Sequence, residues 1–142
     1  MQLGEDFKLT LPAKLVRAAG WEMKTEITSL VANLVADCSI RFHLPGDAIP
    51  RINSIREELR ASESDAEYLV EALQVIDDRY QSLTFNLKDG RIRLTIPMLL
   101  HLGIEPRSQP YVFLQARQST IDLMSLETRK KRLEKFKGVT SI

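Results

Sequence analysis

The sequence predicts an α+β, β-rich fold in which two similar half-units are joined by a helical hairpin and followed by a C-terminal helix. Residues 9–12 (LTLP) resemble residues 94–97 (LTIP), and a glycine closes a short segment after each proline. The stretch between the copies carries helical rather than strand periodicity. We therefore divide the chain into a first repeat (1–45), a helical linker (46–80), a second repeat (81–125) and a basic C-terminal helix and tail (126–142).

The composition is that of one globular domain. Of the 142 residues, 44% are hydrophobic and 27% are charged, a ratio that excludes wholesale disorder and a fibrous repeat. The apolar runs are too short to cross a bilayer, and the first residues lack the basic start and apolar stretch of a secretory signal. Cys38 is the single cysteine, so no intrachain disulfide can form, and we expect a cytoplasmic protein without membrane association.

The formal net charge of +1 conceals an uneven distribution. Residues 1–45 carry five basic and five acidic side chains, residues 46–80 carry four and nine, and residues 81–142 carry eleven and five, which gives nets of 0, −5 and +6. A basic final third beside an acidic middle is compatible with an anionic partner, with self-association through opposite charges, or with ordinary charged surface helices.

The first repeat is predicted to begin with a strand that alternates between core and solvent. Its inward side chains are Phe7, Leu9 and Leu11, and its outward ones are Lys8 and Thr10. Pro12 suits the first position of a short helix, where its missing N–H is not needed. Gly20 can end that helix in a left-handed conformation. Two strands are then expected within residues 26–44, with a turn near residues 36–38.

The linker is predicted to be a helical hairpin over residues 45–80. Apolar side chains recur at helical spacing in two series, Ile52, Ile55 and Leu59, then Leu69, Leu73, Ile76 and Tyr80. Residues 64–67 (SDAE) form a capping-box pattern, so the second helix is expected to begin near residue 65.

The second repeat contains Asp89-Gly90, a two-residue signal for a β-hairpin. Pairing outward from this turn opposes Lys88 with Arg91, Leu87 with Ile92, Asn86 with Arg93, Phe85 with Leu94, Thr84 with Thr95, and Leu83 with Ile96. Every apolar member then lies on one face and every polar member on the other. Gly90 is the predicted structural turn residue.

The rest of the second repeat follows the order of the first. Pro97 is expected to start a short helix that ends at Gly103, and residues 111–114 and 119–124 are expected to form a further hairpin. In the last segment, Leu126, Leu133 and Phe136 can form one apolar stripe of a helix. The cations at 129–132 are either its solvated side or a tail that binds DNA or a partner.

The polar face of the predicted hairpin is the main candidate binding surface. Lys88 and Arg91 would be directly opposite, where like charges repel, and an anionic ligand would relieve that repulsion. Arg93 extends the basic face. The alternative is a solvated strand face whose charges protect an edge from pairing.

The order of elements, and above all residues 90–97 (GRIRLTIP) followed by 102–104 (LGI), resemble the MraZ branch of the AbrB/SpoVT-type DNA-binding families. The resemblance covers most of residues 1–136. It implies two swapped-hairpin barrel half-units, assembly into a homo-oligomer, and transcriptional regulation through duplex DNA. From the family motif only Gly90 and Arg91 are carried over. Together with the basic face of the hairpin, this makes Lys88, Arg91 and Arg93 the predicted DNA contacts, with Lys8, Lys14 and Arg17 as weaker first-copy candidates.

The sequence also departs from that family pattern. Leu87 occupies the position of the usual aspartate, and Glu5 and Asp6 occupy the Gly-Arg positions of the first copy. These departures motivate an alternative function, a diverged oligomeric protein-interaction or assembly module that has lost DNA binding.

Catalytic signals are absent from the sequence. It contains no phosphate-cradling glycine loop, dinucleotide fingerprint or nucleophile elbow. His43 and His101 lack neighbouring ligands at metal spacing, and Cys38 is expected to pack rather than react. We therefore expect no enzyme activity, no cofactor, no metal and no small-molecule substrate.

Overall fold

The computed structural model describes residues 7–21, 28–62, 64–85, 90–105 and 111–140. These residues form seven strands and five helices. In chain order they are β1 (Lys8–Thr10), α1 (Ala13–Ala18), β2 (Ser29–Val35), β3 (Ser39–His43), α2 (Pro45–Ser62), α3 (Ala66–Arg79), β4 (Tyr80–Thr84), β5 (Arg91–Arg93), α4 (Ile96–His101), β6 (Val112–Arg117), β7 (Thr120–Ser125) and α5 (Leu126–Thr140).

The strands form two antiparallel sheets. One has five strands in the order β4-β2-β3-β7-β6, and the other is a two-stranded ribbon of β1 and β5. The α+β class is therefore confirmed, and within the described residues neither sheet closes into a barrel. Strands β3 and β7 are the seam at which the first repeat meets the second.

The predicted pairing of residues 83–88 with residues 91–96 is wrong for the positions that the structure describes. Leu83 and Thr84 pair with Leu30 and Ser29 of β2, while β5 pairs with β1. The residues predicted to pair with Leu83 and Thr84 belong to α4 instead: Ile96 is its first residue and Thr95 is its N-cap. They therefore cannot continue β5 as one strand of a hairpin. The turn at 86–89 lies outside the described residues.

The predicted division into buried and exposed faces is more accurate than the pairing. Leu9, Leu11, Leu83, Phe85, Ile92 and Leu94 are all buried, whereas Thr84, Arg91, Arg93 and Thr95 are exposed. Ile96, predicted to be inward, is exposed because it lies in the first turn of α4.

The two short helices are terminated as predicted but begin one residue away from the expected position. Pro12 is the N-cap of α1, with an extended ψ of 140°, and Pro97 is the second residue of α4. Gly20 and Gly103 have φ values of +77° and +75°. These left-handed conformations satisfy the last turn of each helix at positions where other residues are strained.

The helical hairpin of the linker is present as α2 and α3. Asp65, rather than Ser64, caps α3 by accepting hydrogen bonds from the N–H groups of Glu67 and Tyr68. The hairpin covers one side of β2 through a small apolar cluster of Val31, Ala48, Ile52 and Ile76. The predicted helical periodicity therefore identified the core side of both helices.

A larger apolar core is shared by both repeats. Trp21 and Phe85 are almost fully buried within it and meet edge to face, with ring centroids 6.2 Å apart. Trp21 Nε1 donates a hydrogen bond to the carbonyl oxygen of Ser119, 3.0 Å away in the turn between β6 and β7. Trp21 therefore anchors the core that the two repeats share.

The repeats are interleaved. Lys8 and Arg93 occupy equivalent positions in the two copies and are also cross-strand partners. Residues 39–42 (SIRF) of the first copy correspond to residues 120–123 (TIDL) of the second. Arg41 and Asp122 are therefore equivalent as well, and they are also directly paired. An approximate twofold axis that relates the two copies therefore passes through both pairs.

None of the helices in the described ranges combines the length and apolarity needed to cross a membrane.

Candidate functional site

The ribbon of β1 and β5 carries three of the predicted DNA contacts, Lys8, Arg91 and Arg93, on its outer face. Because side chains alternate along a strand, Leu9 and Ile92 enter the core while their neighbours remain in solvent. The outer face presents Lys8, Thr10, Arg91 and Arg93. We call these four residues the ribbon face.

The pairing register brings like charges together. Lys8 is directly opposite Arg93, and Thr10 is directly opposite Arg91. None of the three cations forms an ion pair with any residue that the structure describes. Directly opposed like charges destabilise a sheet by a few tenths of a kcal/mol, roughly, until a counter-charge is present. The ribbon face is therefore suited to an anion.

Gly90 fixes the approach of the two strands. It has a φ of +64°, and a Cβ atom there would lie 3.0 Å from the carbonyl oxygen of Leu11. Its own carbonyl accepts a 2.7 Å hydrogen bond from the Leu11 N–H. Both the left-handed conformation and the close backbone contact favour glycine, so Gly90 has a local structural role at the start of β5.

Two of the other predicted DNA contacts lie on a helix and not on the ribbon. Lys14 and Arg17 are exposed on α1, which follows β1. Lys88 lies outside the described residues, so its pairing with Arg91 stays a prediction. Lys8 and Arg93 hold equivalent positions in the two repeats, and equivalent strands can pair about a twofold axis. This equivalence was the sequence signal that could have identified Lys8 as the partner of Arg93.

Part of the cationic C-terminal helix is committed to contacts within the chain. The Arg129 guanidinium lies 3.9 Å from the centre of the Phe113 ring. Arg132 binds Asp37 at 2.7 Å and Asp122 at 3.3 Å. These contacts favour the interpretation of α5 as a docked surface helix over that of a free basic tail.

Asp122 is the centre of a buried charge network. Its side chain is fully buried and also accepts a hydrogen bond from Arg41 Nε at 2.9 Å. Arg117 forms a further ion pair with it, with Nε 3.1 Å from Asp122 Oδ2. The hydrogen bond to Asp122 raises the pKa of Arg41. Three arginines from three elements thus converge on one carboxylate at the β3–β7 seam, which stabilises the contact between the repeats.

Asp37 extends this network to the turn between β2 and β3. Burial alone would raise the pKa of Asp37, but hydrogen bonds from Ser39 and Arg132 outweigh it and lower the pKa. Cys38, in the same turn, is exposed with a φ of +67°. Its predicted packing role is therefore wrong, because the turn directs this residue to solvent.

His101 joins the same turn from the second repeat. Its Nε2 lies 2.7 Å from the Val35 carbonyl oxygen and 3.0 Å from that of Ser39. Carbonyl oxygens only accept, so Nε2 carries the proton. In the parts of the chain that the structure describes, no group of three or more His, Cys, Asp or Glu side chains forms a potential metal site.

Comparison with known proteins adds no family assignment. No protein-family model matches the chain, and no curated protein matches it.

Proposed function

We propose that this protein is a noncatalytic, cytoplasmic DNA-binding regulator of the MraZ/AbrB type that acts as a homo-oligomer. The observation that carries the proposal is the direct opposition of Lys8 and Arg93 on an exposed ribbon, beside Arg91. Duplex DNA offers closely spaced phosphates that neutralise such a surface.

The shape of the ribbon supports this assignment. The major groove of DNA admits a two-stranded antiparallel ribbon, and arginine can bind guanine edges there while other cations contact phosphates. The short strands β1 and β5 are held from behind by the buried side chains of Leu9 and Ile92. A rigid support of this kind keeps the cations in place before binding.

The interleaving of the repeats supports the finer fold assignment as well. The strand that precedes the proline in each copy pairs with its equivalent in the other copy. Each copy also sends a side chain, Trp21 or His101, to a turn of the other copy. This exchange of elements is what two swapped-hairpin half-units within one chain require.

The test is a paired comparison of DNA binding across salt concentrations. The double variant Arg91→Ala/Arg93→Ala should bind duplex DNA more weakly and with a shallower dependence of log K on log salt, by about 0.9 for each phosphate that the variant leaves without its cation. The control Arg60→Ala/Lys135→Ala removes two exposed cations elsewhere and should retain the wild-type slope. Equal slopes in all three proteins would remove the assignment.

The alternative assembly function has an observation of its own. Ile96 and Leu100 are 54% and 63% exposed, and their i, i+4 spacing places them on one side of α4. A subunit contact would bury this pair. Light scattering on Leu100→Lys, together with DNA titration, separates the two functions: a wild-type oligomer with no DNA affinity supports the assembly module.

A further inference from the structure

A cavity with a volume of about 420 Å³ lies between the helical hairpin and the seam of the five-stranded sheet. Strands β2 and β3 form its floor, α2 and the end of α3 form its sides, and Thr120 at the start of β7 completes it. Small-molecule sites in proteins occupy roughly 300–1,000 Å³. The cavity is therefore large enough for a small metabolite, and it is formed by residues other than those of the ribbon face.

Most of the charged side chains that line this cavity are cationic. Arg41, Arg51 and Arg79 contribute to it, against the single carboxylate of Asp47. Arg41 is already paired with the buried Asp122, which fixes its position. Arg51 and Arg79 form no ion pair with a described residue. Two guanidinium groups thus remain available to an anion.

Neutral groups in the same wall could orient a ligand. Arg79 Nε donates a 3.3 Å hydrogen bond to Asn33 Oδ1, and its guanidinium lies 5.9 Å from the centre of the Tyr80 ring. These contacts restrain a long side chain that is otherwise exposed. The ring of Tyr80 and the side chains of Ala48 and Ile52 give the cavity an apolar side.

His43 supplies an independent indication of a ligand. It lines the cavity, and its Nε2 atom is buried without a hydrogen-bond partner among the described residues. Buried polar atoms in native proteins are almost always satisfied, so an orphan atom calls for an explanation. If the ring turned toward the cavity, a bound ligand would satisfy Nε2, which donates or accepts a hydrogen bond according to its tautomer.

We propose that the cavity binds a small organic phosphate, a phosphate monoester whose dianionic group meets Arg51 and Arg79 and whose organic part lies against Tyr80. Arginine is suited to this role because its planar fork donates two parallel hydrogen bonds to phosphate oxygens. A dianion matches the two uncompensated guanidinium groups better than a single carboxylate does. The site is separate from the proposed DNA contacts.

The test uses calorimetric titration of the full chain with phenyl phosphate, inorganic phosphate and benzoate. Phenyl phosphate should bind most tightly, because it alone offers both the dianion and a ring. Arg51→Gln/Arg79→Gln should weaken its binding about 10- to 100-fold. The control Arg60→Gln removes a cation from an exposed position of α2, the helix that also carries Arg51. This variant should bind phenyl phosphate as tightly as the wild type.

A second measurement reports on the site directly. Addition of phenyl phosphate should move the ¹⁵N resonance of His43 Nε2 in the wild type, and in Arg91→Ala/Arg93→Ala as well, because the ribbon face lies elsewhere. Failure of phenyl phosphate to bind, equal binding by the arginine variant, or tighter binding of benzoate would each overturn the proposal. A loss of DNA binding alone would affect the proposed function and leave this site intact.

Discussion

Trp21 Nε1 donates a hydrogen bond to the carbonyl oxygen of Ser119, 98 positions away in sequence. The indole thereby joins the close of α1 in the first repeat to the β6–β7 turn in the second. His101 makes the reciprocal connection, from the end of α4 to the turn between β2 and β3. The repeats are consequently stabilised by contacts with each other as well as by the β2–β3 and β6–β7 hairpins within each copy.

Removing the indole N–H should weaken this connection. Trp21→Phe leaves the Ser119 carbonyl without its donor and leaves part of the ring volume empty, so we expect a loss of about 1–3 kcal/mol in the free energy of unfolding. Urea denaturation, monitored by far-UV circular dichroism, measures this loss in the free energy of unfolding. Ser119→Ala retains the carbonyl acceptor and should cost much less. Equal losses in the two variants would contradict the role of the hydrogen bond.

The glycines provide a graded series of substitutions. Gly46→Ala should stabilise the protein by up to about 1 kcal/mol, because this glycine lies in α2 with open space around its Cα. Gly20→Ala should destabilise it by about 1–2 kcal/mol, because φ is +77° although space is available. Gly90→Ala should cost more, since the new Cβ would also crowd the Leu11 oxygen. Thermal unfolding of the three variants gives the order, and a different order would contradict these conformational assignments.

Neutralising Asp122 should destabilise the seam. In Asp122→Asn, three arginines lose their shared carboxylate, and we expect the free energy of unfolding to fall by about 2–4 kcal/mol. The control Glu127→Gln removes the exposed partner of Lys131 and should change stability by at most about 0.5 kcal/mol. Chemical denaturation measures the free energy of unfolding of both variants. If Asp122→Asn lowered it no more than Glu127→Gln does, the expectation would be refuted.

His43 should make stability depend on pH. Burial, followed by the charges of Arg41 and Arg51, lowers the pKa of His43 below 6.5, although Asp122 and Asp47 oppose the shift. The unfolded chain then binds the proton more readily than the folded one, so the free energy of unfolding decreases as pH falls below about 6.5 and levels off below the folded-state pKa.

The measurement for His43 is a comparison of unfolding free energies between pH 8 and pH 5, an interval centred roughly on the ordinary pKa of histidine. The variant His43→Gln should flatten the decrease over this interval. An NMR titration of the His43 ring should place its midpoint below that of an unfolded peptide. A midpoint above 6.5 would contradict the assigned environment.

Local patterns predicted the fold in part. The alternation of Leu9 with Lys8, and of Ile92 with Arg93, identified which side chains face the core. The periodicity of residues 52–59 and 69–80 identified the helical hairpin. These signals depend only on neighbours in sequence, because burial on one side of an element imposes a fixed spacing.

Strand pairing was predicted only where it is local: the hairpins β2–β3 and β6–β7 are confirmed, whereas the partners of β4 and β5 were not predicted. The Asp89-Gly90 signal favoured a local hairpin for Leu83 and Thr84, whereas the long strand β2 offers them partners more than 50 positions earlier in the chain. Tertiary contacts override local turn preferences when they bury more surface. The cavity beside His43 could not be predicted from the sequence for the same reason. Its three arginines come from β3, α2 and α3, and no sequence motif connects these elements.

The pairing of Arg41 with Asp122 at the β3–β7 seam also bears on how a chain with two repeats can evolve. In an assembly of two identical chains, a residue on the twofold axis must face its own copy, so arginine would meet arginine and aspartate would meet aspartate. Joining the copies in one polypeptide removes that restriction. Arg41 can then face Asp122 across the axis at 2.9 Å, a complementary pair that gene fusion permits and a symmetric dimer forbids.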